Sequence, residues 1–249
     1  NAQQMNVDLI ANNLANVNTT GFKKSRIDFQ DLLSSVLRPA GVEAASGMQI
    51  PTGIEIGNGV MPMSTQRLFT QGDLTNTDNP LDLVIEGDGF FSVLRPNGEI
   101  GYTKNGAFKP DADGRLVTGD GYPLQPEITI PTDAKEVYVG VDGTVSVLLS
   151  GQEDPQVIGN IELVTFPNPA GLKSLGHSLF EPTGASGNAV SGTPGEEGFG
   201  TILQGFLEMS NVKVVEEMIN MIVGQRAYEI NGKAITAADE MLSTATRLR

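Results

Sequence analysis

Towards the C terminus, Val212, Val215, Ile219, Ile222, Ala227, Ile230, Ala234, Ala237, Met241, Ala245 and Leu248 recur mostly at spacings of three and four. That pattern traces one face of a helix. Ser210 is placed to cap its start, and no proline interrupts from Ser210 to Arg249, so the pattern predicts one helix of roughly 60 Å. A helix of that length exceeds the typical globular one, and a chain of this size has little to cover it with. A partner helix or another molecule is therefore implied. At the other end Val7, Ile10, Leu14 and Val17 repeat at three, four and three, a second and shorter stripe, with Gly21 expected to stop it in the left-handed conformation.

Between the two stripes the period changes. From about Gln71 to Gly205, short runs of Val, Ile, Leu and Phe alternate with turn signals such as Asn97-Gly98, Asp113-Gly114 and Asp142-Gly143, which predicts antiparallel β structure built from hairpins. Leu83-Val84-Ile85 and Phe90-Phe91-Ser92-Val93 flank Gly87-Asp88-Gly89, which reads as a hairpin turn. Residues 36–70 hold many helix breakers yet carry alternating Ile50, Ile54 and Ile56, and read as an extended linker with short strands. Gly184 to Gly200 reads as a surface loop. The expected fold class is α+β: terminal segments 1–35 and 205–249 forming a coiled-coil-like helical domain, the linker 36–70, and a central antiparallel β domain over 71–204.

The composition suits this picture. The 249 residues include 30 Gly and 14 Pro but no Trp and no Cys. Disulfides, thiolate metal sites and a Cys nucleophile are thereby excluded. The net charge of −14, without a cluster of Lys and Arg, argues against a nucleic-acid partner. Residues 1–38 and 210–249 are close to neutral, so the middle carries nearly all of the negative charge. Neutral helices pack against copies of themselves without like-charge repulsion, and an acidic β domain is best accommodated facing water. No stretch reaches the ~20 apolar residues of a membrane span, and no signal-peptide pattern opens the chain.

Candidate chemistry is sparse. His177 precedes Ser178, but sequence neighbours rarely meet as a catalytic pair, and a structural role is the expectation. Gly87-Asp88-Gly89 continues into strand rather than helix, which argues against a dinucleotide loop. Asp111, Asp113 and Gly114 resemble a fragment of a calcium loop without its later ligands, so a turn is expected. Acid pairs such as Asp82 with Glu86, or Glu216 with Glu217, read as solvated surface charge. No catalytic residue, cofactor site or metal site is assigned, and the chain is not expected to be an enzyme.

The run from Asp8 to Lys23, DLIANNLANVNTTGFK, closely resembles the N-terminal signature of the bacterial flagellar rod and hook family. Gly205-Phe206-Leu207-Glu208-Met209-Ser210-Asn211-Val212, Glu216-Glu217-Met218, Gln225-Arg226-Ala227-Tyr228 and Asn231-Gly232-Lys233 resemble its C-terminal helix, and Gly72-Asp73-Leu74, Asn79-Pro80-Leu81-Asp82, Gly87-Asp88-Gly89-Phe90-Phe91 and Tyr102-Thr103 resemble its β domain. Within the family, the length and the segment from Leu37 through Gly59 resemble subunits of the distal rod, since a hook subunit would be longer. The family's N-terminal helix ordinarily begins upstream of Asn1.

That resemblance implies a structural subunit that polymerises helically into a rigid hollow drive shaft carrying torque to the hook. The alternatives are a proximal rod or hook subunit and, remotely, a secreted β-domain hydrolase or glycan-binding module. It implies export through the flagellar type III apparatus without a cleaved signal peptide, and a position in the basal body across the periplasm. Implied partners are copies of itself, proximal rod proteins, hook or hook-junction subunits, the peptidoglycan and outer-membrane ring proteins, the rod cap protein and the export apparatus. Val7, Ile10, Leu14, Val17, Val212, Val215, Ile219, Ile222, Ile230, Met241 and Leu248 are then the expected subunit-packing residues. Asn12, Asn13 and Asn16 either set helix register or mark a fraying helix end. Pro51, Thr52, Gly53, Ile54 and Ile56 are expected to reach an adjacent subunit and stiffen the assembly.

Overall fold

A computed structural model describes residues 2–39, 43–45, 48–49, 52–152 and 154–247. They form two compact units. The first comprises the residues up to Asn13, Ser25 to Gln66 and those from Val215 onward; the second comprises Leu14–Lys24 and Arg67–Val214.

In the first unit, helix α1 spans Ala2–Ala15 and helix α2 spans Val214–Arg247. Both are shorter than the stripes suggest. Past Ala15 the chain makes successive turns, with Val17 N–H donating to Leu14 O and Thr19 N–H to Asn16 O, so Val17 lies beyond the helix. Gly21 does take positive φ, at 68°, but six residues after α1 ends. At the other end Asn211 delays the helix. Its carboxamide accepts a hydrogen bond from Lys24 N–H at 2.7 Å and donates to the Leu68 and Thr70 carbonyls, which holds residues 210–212 out of helical conformation. α2 therefore begins four residues after Ser210, with Glu216 and Glu217 in its first turn, where acidic groups favour the positive end of the helix dipole. Its 34 residues give a rod of about 50 Å.

Also in this unit, the described strands between Ser25 and Gln66 pair into a β ribbon. Ser25–Asp31 pairs with Val60–Arg67, Ser35–Arg38 with Ile54–Ile56, and Glu43–Ala45 with Met48–Gln49. Cross-strand contacts continue along it, including Leu32 N–H to Gly59 O at 2.9 Å and Asn58 Nδ2 to Leu33 O at 2.7 Å.

The second unit is the β body. A five-stranded antiparallel sheet runs in the order Leu124–Gln125, Phe91–Leu94, Ile100–Thr103, Leu179–Glu181 and Lys173–Gly176. Ala134–Val139, Thr144–Leu149 and Gln156–Asn160 form a three-stranded antiparallel sheet. The hairpins at Asn97-Gly98 and Asp142-Gly143 form as expected, with Gly101 opposite Val93 and Val139 opposite Val145. Because side chains alternate along a strand, the neighbours Phe90 and Phe91 enter different clusters. Phe91 joins Val93, Leu124, Val145, Ile161 and Leu163 in the main core, whereas Phe90 packs with Tyr102, Phe166 and Phe180.

Two further expectations are corrected. Gly87-Asp88-Gly89 is not a hairpin turn: Leu83–Glu86 pairs with Thr201–Gln204, and the chain crosses at the glycines into a different sheet. Glycine is required there, since Gly89 has φ 139° and a Cβ on it would meet Leu163 side-chain carbon at 3.1 Å. The segment 184–200 is not all loop, because Val190–Gly192 pairs with Leu163–Thr165, and Gly192 leaves room for the Phe199 ring.

Candidate assembly site

The expected packing residues divide by burial. Along α2, Val215 is 70% exposed and Met241 68%, and Ile219, Ile222 and Ile230 are more than half exposed. Met218, Val223, Ile235 and Leu242, outside the expected stripe, are equally open. From Gln225 to Arg247, Ala227 alone is partly covered. Val212 and Ile10, by contrast, are buried within the chain, and Val7, Leu14 and Val17 are half-buried. Leu248 and Pro51 lie outside the described residues.

α1 and α2 approach at Gly224. A Cβ there would stand 3.1 Å from Val7 Cγ2, so the absence of a side chain permits the contact. Gln4, Val7, Gln225, Tyr228 and Glu229 line an open groove of about 310 Å³ beside it. Gly224 escaped the pattern reading because a helix-interior glycine registers only as a weak helix former.

Of the three asparagines, Asn13 proves to be a buried clamp. It is 2% exposed, its Nδ2 donates to Ser25 O at 2.8 Å, and its Oδ1 accepts from Ser25 N–H at 3.0 Å. Its carboxamide therefore fixes the start of the ribbon rather than facing another helix. Asn16 accepts from the Thr19 hydroxyl in the following turn, and Asn12 is exposed.

The ribbon carries the second apolar surface. Leu33 is 90% exposed, and Val36, Leu37, Ile54, Ile56, Val60 and Met63 are also open. A two-stranded ribbon cannot cover both of its own faces. Thr52 is exposed and Gly53 half-buried on the same arm.

Pattern reading also missed a polar anchor in the β body. Lys23 and Glu208, each 1% exposed, pair at 2.5 Å. Lys23 Nζ also donates to Thr70 O, while Glu208 Oε1 accepts from Gly72 N–H and Glu208 O from Gly21 N–H, each at 2.8 Å. The two segments that resemble family signatures at opposite ends of the sequence are thus bonded to each other. Lys104 lies close enough for its charge to be felt: burial pushes its ammonium down to about 8, against the attraction of Glu208.

The small polar motifs resolve as structure. His177 Nδ1 faces Asp120 Oδ1 at 3.1 Å, whereas the Ser178 hydroxyl donates to Thr20 O, so the two do not form a nucleophile and base. Asp111 accepts from the N–H groups of Asp113 and Arg115 and pairs with the Arg115 guanidinium, which closes a turn. Asp82 is buried and accepts from Asn79, while Glu86 is exposed.

Three family profiles match the chain: flagella basal body rod protein over residues 1–23, flagellar hook protein FlgE/F/G D1 domain over 84–147, and flagellar basal body rod FlgEFG protein C-terminal over 203–248. Similar full-length relatives are called flagellar basal-body rod protein FlgG. That of Buchnera aphidicola subsp. Schizaphis graminum is 48% identical over 99% of this chain and 95% of its own length. That of Caulobacter vibrioides is 47% identical over 100% and 95%, and that of Bacillus subtilis 39% identical over 99% and 94%.

Proposed function

The chain belongs to the flagellar rod and hook protein family, as a structural subunit of the basal-body rod, and we propose that it polymerises through the open faces of α2 and the ribbon into the distal rod. The observation that carries this reading is the apolar face of α2, exposed from Val215 to Leu242. Copies related by a helical operation bury on each other what the single chain leaves in water. Each large apolar side chain so covered contributes roughly 1.5–3 kcal/mol, so a few per subunit offset the ordering of the terminal segments.

On this reading α1 and α2 form a coiled-coil-like inner wall of a hollow shaft across the periplasm. The ribbon, with Thr52, Gly53, Ile54 and Ile56 on one arm, reaches a neighbouring copy and stiffens the tube. Asn12 and Asn16 set helix register within that wall. The helices α1 and α2, the ribbon and the β body act as separate functional parts. Proximal rod proteins, hook or hook-junction subunits, ring proteins, a cap protein and the export apparatus are its partners, and its role is mechanical rather than catalytic.

The test is sedimentation and electron microscopy of the full chain beside Ile222→Asp and Ile230→Asp. Both positions are exposed, so the β body should fold unchanged. Tubes from the parent chain and monomer from the variants support the reading. Tubes of equal yield from all three would remove α2 as the assembly face.

A further inference from the structure

The β body contains a cavity of about 520 Å³, within the size range of small-molecule sites. Phe69, Phe90, Phe166 and Phe199 line it together with Lys104. Phe90 meets Phe69 and Phe166 edge to face, at centroid separations of 5.4 and 5.8 Å, which fixes the aromatic wall. Lys104 is 5% exposed, with its ammonium 5.6 Å from the centre of the Phe90 ring. An ammonium has three donors. Among the described residues Lys104 makes one hydrogen bond, to Gly87 O at 2.8 Å.

The charge around that lysine is unbalanced. Lys23 holds Glu208 directly, and Lys104 feels both of them. Two buried ammonium groups therefore share one buried carboxylate, and one positive charge faces the cavity without a buried counterpart. Asp88 and Glu197 lie at the exposed edge. They soften the field but stop short of pairing, and they would repel a second negative charge on a ligand.

We propose that this cavity binds small monocarboxylates with an aromatic or branched aliphatic body, the carboxylate accepting from Lys104 Nζ and the body packing on the phenylalanine rings. A carboxylate supplies the charge-assisted hydrogen bonds that a desolvated ammonium lacks, and the apolar body displaces water from the rings. The acids at the edge select against dicarboxylates. This site is independent of the assembly reading, since none of its residues lies on α2 or the ribbon.

The test is titration of the full chain with 3-phenylpropionate by calorimetry. The expected result is saturable binding at one site per chain that weakens roughly thirtyfold between pH 7 and 9.5, because binding requires the protonated amine whose pKa in the free protein is about 8. Phenylsuccinate and 3-phenylpropionamide should bind at least about tenfold more weakly, and Lys104→Met should abolish binding. Val190 lines the cavity and is half exposed, so Val190→Glu should leave the fold intact and weaken binding by about tenfold through charge repulsion. Absence of saturable binding, affinity independent of pH, or equal affinity for the amide would overturn the proposal. So would full binding by Lys104→Met; if that variant fails to fold, unchanged affinity in Val190→Glu decides against the site.

Discussion

Lys23 and Glu208, separated by 185 residues, form a buried ion pair at 2.5 Å. Each is further held by backbone: Lys23 by Thr70 O, Glu208 by the N–H of Gly72. Such a pair adds little net stability over a well-packed apolar pair, but removing one member strands the other. Glu208→Gln leaves two buried ammonium groups without a carboxylate, and should cost about 3–5 kcal/mol in urea unfolding. Lys23→Met leaves Glu208 still close to Lys104 and should cost less. Equal losses in the two variants would mean that Lys104 does not share the carboxylate.

Lys104 gives the stability a definite pH dependence. Burial lowers its pKa from 10.5 to about 8, so between those values the unfolded chain holds a proton that the folded chain has released. Stability therefore rises with pH across that window, and the penalty is fully present below pH 8. Lys104→Met removes the effect. The variant should exceed the parent in stability at pH 7 by an amount on the order of 3 kcal/mol that shrinks towards pH 10.5. Parallel unfolding curves at pH 7, 9 and 10.5 measure it, and a constant difference would contradict the shift.

Asn13→Ala removes both hydrogen bonds to Ser25. The partly buried N–H and carbonyl of Ser25 then lose their partners, at about 1 kcal/mol. The change should be local: faster hydrogen exchange at the Ser25 amide, with exchange in the five-stranded sheet unaltered. Unchanged protection at Ser25 would return Asn13 to the list of register candidates.

Gly224→Leu should separate α1 from α2, because even a Cβ stands 3.1 Å from Val7 Cγ2. Helix propensity rises by up to about 1 kcal/mol at the same time, so helix content should hold or increase while a distance label on the two helices lengthens. An unaltered distance would show that Val7 yields instead.

On the ribbon, Leu33→Ser tests the second surface. Leu33 is 90% exposed, so monomer stability should change by no more than about 0.5 kcal/mol. Tube yield should fall, measured by sedimentation at equal concentration. An unchanged yield would leave assembly to the helices.

How much of this was legible follows from the range of each interaction. The face of α2 was readable because its period lies within one continuous segment, and the Asn97-Gly98 and Asp142-Gly143 hairpins because each turn joins adjacent strands. Long-range effects were not. The start of α2 is displaced by Asn211 bonding to Lys24, Leu68 and Thr70, none of them nearby in sequence. Gly87-Asp88-Gly89 has the composition of a turn, yet the partner of Leu83–Glu86 lies at Thr201–Gln204. Val212 and Ile10 fit the stripes but are covered within the chain, a distinction that periodicity does not make. Asn13 had two readings in the sequence and Gly224 none, because their contacts with Ser25 and Val7 are tertiary.

The pairing of Leu83–Glu86 with Thr201–Gln204, followed by Leu74–Asn76 with Phe206–Glu208, also sets a schedule. Strands from the first third of the polypeptide must wait for partners from its last fifth, a closure across more than a hundred residues that slows folding. During synthesis the ribosome must therefore release nearly the whole polypeptide before the body can close. Until then Leu74–Asn76 and Leu83–Glu86 lack their partner strands, and the body locks into shape only once its tail has arrived.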